Sequence, residues 1–229
     1  MSGWRRRGKL LVYAVAASVA GSAALALISL VLLRWIDPPT TALQAQRRVE
    51  AWLDGREYVK RREFVPLDRI SKHLHHAVVA AEDARFYEHA GIDWQAIGEA
   101  IEDNRERAAR RRRPRGGSTL SQQLVKNLFL TTRGGIVRKV FEVPLTYAAD
   151  AVLPKDRILE LYLNVIEWGD GIYGAEAASR HHFGVSAARL SRVQAAALAA
   201  CIPAPRRRVP ARMGSYRDVI LERMQQMGW

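Results

Sequence analysis

The residues best suited to chemistry lie between Arg115 and Leu130, in the segment RGGSTLSQQLVKNLFL. Two glycines open it and are typical of a backbone that approaches a neighbouring group closely. The segment continues with hydroxyl, amide and ammonium groups, and the candidates for contact with a ligand are Gly116, Gly117, Ser118, Thr119, Gln122, Gln123 and Lys126. The start of a helix does not need this many hydrogen-bonding groups. They favour a site for a phosphorylated or polyhydroxyl ligand at a helix N-terminus, although a plain helix cap accounts for the first four residues equally well.

Neighbouring glutamines on a helix point in different directions. Gln122 and Gln123 therefore cannot share a face, and we expect one of them to face the site while the other packs or braces it.

An acidic pair, Glu82 and Asp83, follows the apolar run Ala77 to Ala81. A carboxylate at the edge of an apolar face loses hydration, so its pKa rises and it can exchange protons near neutral pH. Glu82 is therefore a candidate acid or base. The alternatives are an exposed acid at a helix end for Glu82 and a structural hydrogen-bonding role for Asp83.

A second carboxylate, Glu142, lies in a basic stretch. Arg138 precedes it by four residues, so the two side chains share a helix face, and an ordinary helix salt bridge is one interpretation. The other is that Arg138, Lys139, Lys126 and Arg133 surround a diphosphate while Glu142 faces the same cleft. Cationic groups beside a carboxylate suit a phosphate leaving group, in some sites together with a divalent ion.

An apolar segment near the N-terminus predicts a membrane anchor. Leu10 to Leu33 holds twenty-four residues without a charge, and about 20 apolar residues span a bilayer core. Basic residues precede it, so the N-terminus is predicted to be cytoplasmic and the rest exported. A cleaved signal peptide is the competing interpretation. The predicted division is a tail (1–9), an anchor (10–35), a membrane-proximal linker (36–67) and a catalytic domain (68–229).

The net charge of +13 and the pI of about 10.5 predict anionic partners. Charge alone leaves phosphate groups, anionic lipid and nucleic acid open. A basic domain outside a membrane meets lipid head groups rather than nucleic acid.

The arginine run from Arg110 to Arg113, with Arg115, fits a solvated loop, a nucleic-acid patch or a flexible cationic flap over an anionic substrate. Cys201 is expected to be a small buried residue.

Hydrophobic periodicity predicts a mainly helical chain and no strand. Asp68, Asp93 and Ser118 are the expected helix N-caps, and residues 55–67 are expected to be irregular. The predicted helices after the anchor are 43–54, 68–82, 94–108, 119–130, 136–153, 155–166, 175–183, 191–200 and 215–227.

Five segments in this order resemble the glycosyltransferase domain of peptidoglycan synthases, that is, of class A penicillin-binding proteins and, more closely, of their monofunctional relatives. The resemblance covers about Asp68 to Pro210. The matching residues are Glu82-Asp83-x-x-Phe86-x-x-His89-x-Gly91-x-Asp93; Gly116-Gly117-Ser118-Thr119-x-x-Gln122-Gln123-x-x-Lys126-Asn127; Arg138-Lys139-x-x-Glu142; Lys155 with Glu160 and Asn164; and Leu190-Ser191 through Pro203-x-Pro205. His181 and His182 depart from the aromatic pair that is usual in the family.

The resemblance implies a lysozyme-like, mainly helical domain that polymerises lipid II and releases undecaprenyl diphosphate. It implies that Glu82 is the general base in an inverting transfer that makes a β-1,4 linkage. Glu142 with Lys126, Arg133, Arg138 and Lys139 would hold the diphosphate, with Mg²⁺ or Mn²⁺ at Glu142 and no organic cofactor. Ser118 and Gln123 would contact substrate. Structural support is expected from Asp83, Phe86, His89, Gly91, Gly116, Gly117, Asn127, Glu160 and Asn164.

Two other functions remain open at this point. A hydrolase on the same fold shares a single catalytic glutamate but does not need the cationic groups, because its leaving group is a neutral sugar. A membrane-tethered basic module would bind anionic lipid or polymer without using Glu82. The sequence holds no Ser-x-x-Lys motif, so no transpeptidase activity is expected. The expected location is the bacterial inner membrane, with lipid II, the growing glycan, membrane lipids and other cell-wall synthesis proteins as partners.

Overall fold

The fold is mainly helical, as predicted. The computed structural model describes residues 2–110 and 116–229, and in these ranges it contains ten α-helices and three short strands. The helices are α1 (Ser2–Leu32), α2 (Ala42–Leu53), α3 (Lys72–Glu82), α4 (Trp94–Ala109), α5 (Leu120–Phe129), α6 (Gly135–Val152), α7 (Lys155–Val165), α8 (Ala175–Phe183), α9 (Arg192–Ala199) and α10 (Gly214–Gln226).

Helix α1 is long and apolar enough to cross a membrane between Arg7 and Leu32. Its last turn packs against the domain, because Leu30 and Leu33 belong to the same buried core as the helices that follow. Arg157 of α7 fixes this end of the anchor by donating hydrogen bonds to the carbonyl oxygens of Leu33 (2.8 Å) and Ile36 (3.2 Å). Helix α1 is therefore joined to the rest of the chain by packing as well as by the backbone.

Two groups of helices form the core. Helices α3, α9 and α10 pack on one another, and α5 packs between α6 and α7. The α3–α9 contact is close because both faces consist of small side chains, with Ala77 and Ala80 of α3 and Ala195, Ala196 and Ala199 of α9 all buried. The first group contains α3, which ends at Glu82, and the second contains α5 and α6, which carry Lys126 and Glu142. The candidate residues therefore lie where the two groups meet.

The expectation of no strand is wrong. Strands β1 (Arg61–Arg62), β2 (Glu167–Gly169) and β3 (Ile172–Tyr173) form a small sheet in the order β1-β3-β2. β1 is parallel to β3 and β2 is antiparallel to it. Strands of two or three residues are too short to show a period of two in the sequence, which explains the error.

The segment 36–67, predicted to be a linker, packs on the domain in two places. Helix α2 packs against α5, and its Gln46 hydrogen-bonds both the backbone and the side chain of Thr132. Strand β1 pairs with β3. The boundary at residue 68 stays a prediction.

Two predicted helix caps are misplaced and one is confirmed. α3 begins at Lys72 with Ser71 as N-cap, because residues 67–69 form a separate 3₁₀ turn. α5 is capped by Thr119 rather than Ser118, in a reciprocal arrangement with Gln122 that satisfies two backbone donors. Asp93 caps α4 as expected.

Gly91 is a position near the site that requires glycine. Its φ of +87° is rarely adopted by other residues, and an added Cβ would lie 3.2 Å from the Thr146 carbonyl oxygen and 3.2 Å from the Asp150 Cβ. The Gly91 carbonyl also accepts a hydrogen bond of 2.5 Å from the Thr119 hydroxyl. The glycine therefore holds the loop after α3 against both α5 and α6.

We predict that Gly91→Ala lowers the stability of the fold by about 2 kcal/mol, from backbone strain and the close contacts with α6. Gly98→Ala is the matched control, because Gly98 lies within α4 and an added Cβ meets nothing within 4 Å. That substitution should stabilise by about 1 kcal/mol. Thermal unfolding of both variants measures the difference, and equal midpoints would contradict the account of Gly91.

Candidate active site

Glu82 is the last residue of α3 and is partly exposed to solvent. Its Oε2 accepts a hydrogen bond of 2.9 Å from the Gln123 side-chain amide. The Gln123 oxygen in turn accepts a bond of 2.9 Å from the hydroxyl of Tyr162. This chain of hydrogen bonds fixes the orientation of the Glu82 carboxylate. It also shows that Gln123 is the glutamine that faces the site.

Burial raises the pKa of Glu82 above its ordinary value, and the neighbouring charge of Asp83 adds to the rise. The hydrogen bond from Gln123 and the positive charges of Lys126 and Arg208 act in the opposite direction. Loss of hydration is the largest of these effects, so the carboxylate is a stronger proton acceptor than an exposed glutamate. This is the property that a general base requires.

Asp83, next to Glu82, is fully engaged in structural contacts. Its Oδ2 accepts the backbone amide of Leu120 at 2.9 Å, and its carboxylate lies 3.0 Å from His89 Nε2. These contacts join the end of α3 to the first turn of α5. The adjacent acids are therefore different: Asp83 is tied into the scaffold and Glu82 faces the site.

Glu142 of α6 is buried, with only 1% of its surface exposed. Its Oε2 lies 2.9 Å from Arg138, and its Oε1 forms an ion pair with Lys139. Lys139 Nζ also donates to the Ser118 hydroxyl at 3.2 Å. The structure thus joins the glycine-rich segment to the basic stretch of α6.

Lys126 of α5 is close enough to both carboxylates to be influenced by their charges. Burial lowers the pKa of Lys126, and the positive charges of Arg138 and Lys139 lower it further, while Glu142 and Glu82 oppose the shift. The group of Lys126, Arg138, Lys139 and Glu142 is called the cationic cluster below. Since it contains three cations and one carboxylate, it carries two net positive charges and is suited to an anion of two negative charges.

Three predicted substrate contacts are placed differently. Arg133 lies away from the cationic cluster, with 78% of its side chain exposed, 3.4 Å from Glu50 of α2. Thr119 and Gln122 are buried and cap α5 through each other's backbone amides. Their side chains therefore position the helix, and Gln122 also lines the cleft that contains Ser118 and Lys139.

The predicted supporting residues contact the scaffold. Phe86 is buried beneath the ammonium group of Lys155, which lies 4.8 Å from the ring centre. Glu160 accepts the backbone amide of Leu67 at 2.6 Å, and Asn164 bonds both the amide and the carbonyl of Val65 at 2.9 Å. Asn127 is buried on α5, and Gly116 is exposed. Gly117 lies close to α4, since an added Cβ would be 3.3 Å from the Ile97 Cα.

The predicted metal position at Glu142 does not fit a directly bound divalent ion. Both of its carboxylate oxygens are occupied by ion pairs with Arg138 and Lys139. In the described part of the chain, Asp83, His89 and Asp93 bring three donor atoms within 4.8 Å of one another. These side chains already make other contacts. Asp83 accepts the backbone amide of Leu120 in α5, and Asp93 caps α4 and pairs with Arg85.

Two features of the site are not evident in the sequence. Tyr162 falls on the apolar face of α7, and nothing in its spacing shows that its hydroxyl reaches Gln123. Arg208 lies in a proline-rich segment, where it donates to the carbonyl of Ala200 at 2.8 Å and exerts its charge on Glu82. The predicted flap falls mainly on residues 111–115, which lie outside the described residues, after the end of α4 at Ala109.

Comparison with known proteins identifies the family of this chain. Residues 48–225 match the family model described as transglycosylase. A biosynthetic peptidoglycan transglycosylase of Pseudomonas fluorescens strain Pf-5 is 46% identical over 99% of this chain and 87% of its own length. A protein of the same name from Ectopseudomonas mendocina is 44% identical over 93% of this chain and 83% of its own length. Another, from Bordetella pertussis, is 51% identical over 74% and 71%.

The raised pKa of Glu82 predicts how the stability of the fold depends on pH. A carboxyl group with a folded-state pKa above its unfolded value stabilises the fold when protonated, and this contribution is lost as the pH rises through the folded-state pKa. Glu82→Gln should therefore have the same thermal midpoint as the parent below about pH 4.5, the ordinary pKa of a glutamate, and a higher midpoint than the parent in neutral and mildly alkaline solution. Each unit of pKa shift corresponds to about 1.4 kcal/mol.

Glu102→Gln is the control, because Glu102 is exposed on α4. Its effect on the midpoint should not grow with pH. A Glu82→Gln variant that loses stability relative to the parent as the pH rises would show that the carboxylate is favoured by its surroundings, against our account.

Proposed function

This chain belongs to the peptidoglycan transglycosylase family, and from that premise we propose that it polymerises lipid II into β-1,4 glycan strands and releases undecaprenyl diphosphate. The family assignment makes the protein an enzyme of peptidoglycan synthesis with a lysozyme-like fold. The observation that carries the proposal is that α5 brings the two parts of the site together: its Gln123 binds Glu82 at 2.9 Å, and its Lys126, three residues later, is close enough to the rest of the cationic cluster to be influenced by its charges. A proton acceptor and an anion site therefore lie beside neighbouring positions of one helix.

Glu82 is the general base in this proposal. Its carboxylate takes the proton from the 4-hydroxyl of the acceptor sugar as that oxygen attacks the anomeric carbon of the growing chain. The new carbon–oxygen bond forms on the face opposite the diphosphate, so the anomeric centre is inverted as the bond to the diphosphate breaks. Gln123 and Tyr162 hold the carboxylate in one orientation, which limits the reorganisation needed during proton transfer.

The cationic cluster stabilises the leaving diphosphate. Negative charge accumulates on the diphosphate as its bond to the sugar breaks, and preorganised cations lower the energy of that charge. Glu142 keeps Arg138 and Lys139 in place through its two ion pairs, and Ser118 lies beside Lys139 as a further polar contact. No step of this proposal uses a divalent ion.

The cationic cluster also favours transfer over hydrolysis of a glycosidic bond. A hydrolase with a sugar leaving group develops no diphosphate charge, so it gains nothing from three cations at the site. A non-enzymatic module does not agree with the family to which the chain belongs.

We further propose that the chain is anchored in the bacterial inner membrane with its N-terminus in the cytoplasm and its catalytic domain outside. Helix α1 supports a single-pass anchor, and basic residues before it support the orientation. The proposed partners are lipid II, the growing glycan, lipid head groups and other cell-wall synthesis proteins, and no transpeptidase activity is proposed.

Glu82→Gln should abolish polymerisation of lipid II while the protein folds normally. General-base catalysis contributes about 100-fold to 10,000-fold, so the loss should be of that order in an assay of purified protein with labelled lipid II. Glu88→Gln is the control, because Glu88 is exposed six residues away. In the parent, the rate of polymerisation should fall on the acid side with an apparent pKa above the ordinary 4.5 of a glutamate. Normal polymer from the Glu82→Gln variant would refute the assignment of Glu82 as the base.

Lys126→Met and Arg133→Ala test the position of the anion site, since each substitution removes one positive charge. Lys126 is half-buried within the cationic cluster, whereas Arg133 is exposed and pairs with Glu50. The first variant should lose roughly 100-fold in turnover of lipid II, and the second should stay within about threefold of the parent, since an exposed charge contributes little. Equal losses would mean that bulk charge, not the cluster, binds the substrate.

A further inference from the structure

An apolar cleft of about 330 Å³ lies beside the cationic cluster, between α4 and α6. Ile97 and Ile101 of α4 form one wall, and Val143 of α6 lies in the other. Lys139 and Ser118 also line it, with the ammonium nitrogen 3.2 Å from the hydroxyl oxygen. The cleft therefore combines apolar walls with a cation and a hydroxyl group.

The glycine-rich segment closes the inner side of this cleft. An added Cβ on Gly117 would lie 3.3 Å from the Ile97 Cα and 3.4 Å from the Ala100 Cβ, so this backbone lies directly against α4. The same segment carries Ser118. The hydroxyl group of the polar rim is thus carried by the segment that packs against the apolar wall of α4.

Two large apolar side chains of the cleft face outward. Trp94 is 63% exposed and Ile101 is 53% exposed. The charged residue that lines the same cleft is Lys139. Exposed apolar surface next to a cavity is typical of a binding groove. A bound hydrocarbon chain would cover these side chains and be stabilised by the area removed from water.

We propose that this cleft binds the apolar chain of a lipid diphosphate, starting at the end that is attached to the diphosphate. The inference rests on the proposed function, since it takes the anionic part of the ligand to lie at the cationic cluster. Such a ligand is charged at one end and apolar along the rest, and Lys139 beside the isoleucine wall has the matching order of groups. The site thereby recognises the lipid carrier as well as its phosphates.

A second apolar groove, of about 430 Å³, lies where the anchor ends, with Leu33 and Ile36 on one side and Leu128 and Phe129 on the other. The charged side chain in its lining is Asp37, which is paired with Arg157 at 2.9 Å, so the lining of this groove offers no cation to a diphosphate. Charge therefore favours the cleft beside Lys139 for the part of the chain next to the diphosphate.

The test compares two probes, farnesyl diphosphate and inorganic diphosphate, in binding to the full-length protein in phosphatidylcholine nanodiscs, with empty nanodiscs subtracted. The ratio of the two affinities isolates the contribution of the chain. We expect the parent to bind farnesyl diphosphate about tenfold or more tightly than inorganic diphosphate. Ile101→Asn and Ile97→Thr should each reduce that ratio by about fivefold and leave the affinity for inorganic diphosphate unchanged.

Ile136→Asn is the matched control, because Ile136 is 85% exposed on α6 and does not line the cleft. Its ratio should equal that of the parent. An unchanged ratio in both cleft variants, or an equal fall in the control, overturns the inference. Displacement of farnesyl diphosphate by phosphatidylglycerol in the nanodisc also overturns it, because the cleft would then bind anionic lipids in general.

Failure of this inference can be told apart from failure of the proposed function. A parent protein that makes no polymer from lipid II, yet shows a ratio sensitive to the cleft variants, refutes the polymerase activity and keeps the lipid diphosphate site. A parent that makes polymer with a ratio insensitive to those variants refutes the cleft alone.

Discussion

The hydrogen bond from the Leu120 amide to Asp83 is the contact on which the rest of the site depends. It joins the end of α3 to the start of α5 and so determines which residues of α5 approach Glu82. Gln123 is three residues beyond Leu120, and its amide reaches Glu82 at 2.9 Å. The first backbone amides of a helix lack partners within that helix and must find them elsewhere. Here an acid adjacent to the proposed base supplies one, so the fold satisfies a structural need and orients a catalytic group in the same contact.

The electrostatics of the site follow from the proximity of three cations, Lys126, Arg138 and Lys139, in a partly buried environment. Like charges disfavour one another, and this repulsion together with burial lowers the pKa of Lys126. Glu142 offsets part of that repulsion by pairing with Arg138 and Lys139. A buried carboxylate of this kind is explained as a counter-charge rather than as a reacting group. The remaining positive charge is unfavourable by itself, and the proposed diphosphate would relieve it.

The sequence predicted what local patterns determine. The apolar run before Glu82 predicted its burial, the i, i+4 spacing predicted the Arg138–Glu142 pair, and the incompatible faces of adjacent glutamines predicted that only one would reach the site. It did not predict what depends on the packing of distant segments. Arg133 shares a basic stretch with the cluster, but the loop that carries it is held by α2 through Gln46 and Thr132. Likewise, the hydroxyl of Tyr162 reaches Gln123 only because α7 packs on α5.

The same helix that orients the proposed base also holds the anchor. Arg157 at the start of α7 binds the carbonyl oxygens at the end of the membrane-spanning segment and the carboxylate of Asp37, while Tyr162 in the next turn of α7 supports Gln123. A helix is stiff over this distance, so the position of Glu82 relative to the C-terminal end of α1 is fixed. The proposed lipid-linked substrate would have its diphosphate at the membrane surface, since its chain stays in the hydrocarbon. With α1 oriented as proposed, a site held at constant height by α7 would receive that diphosphate without first lifting the lipid out of the bilayer.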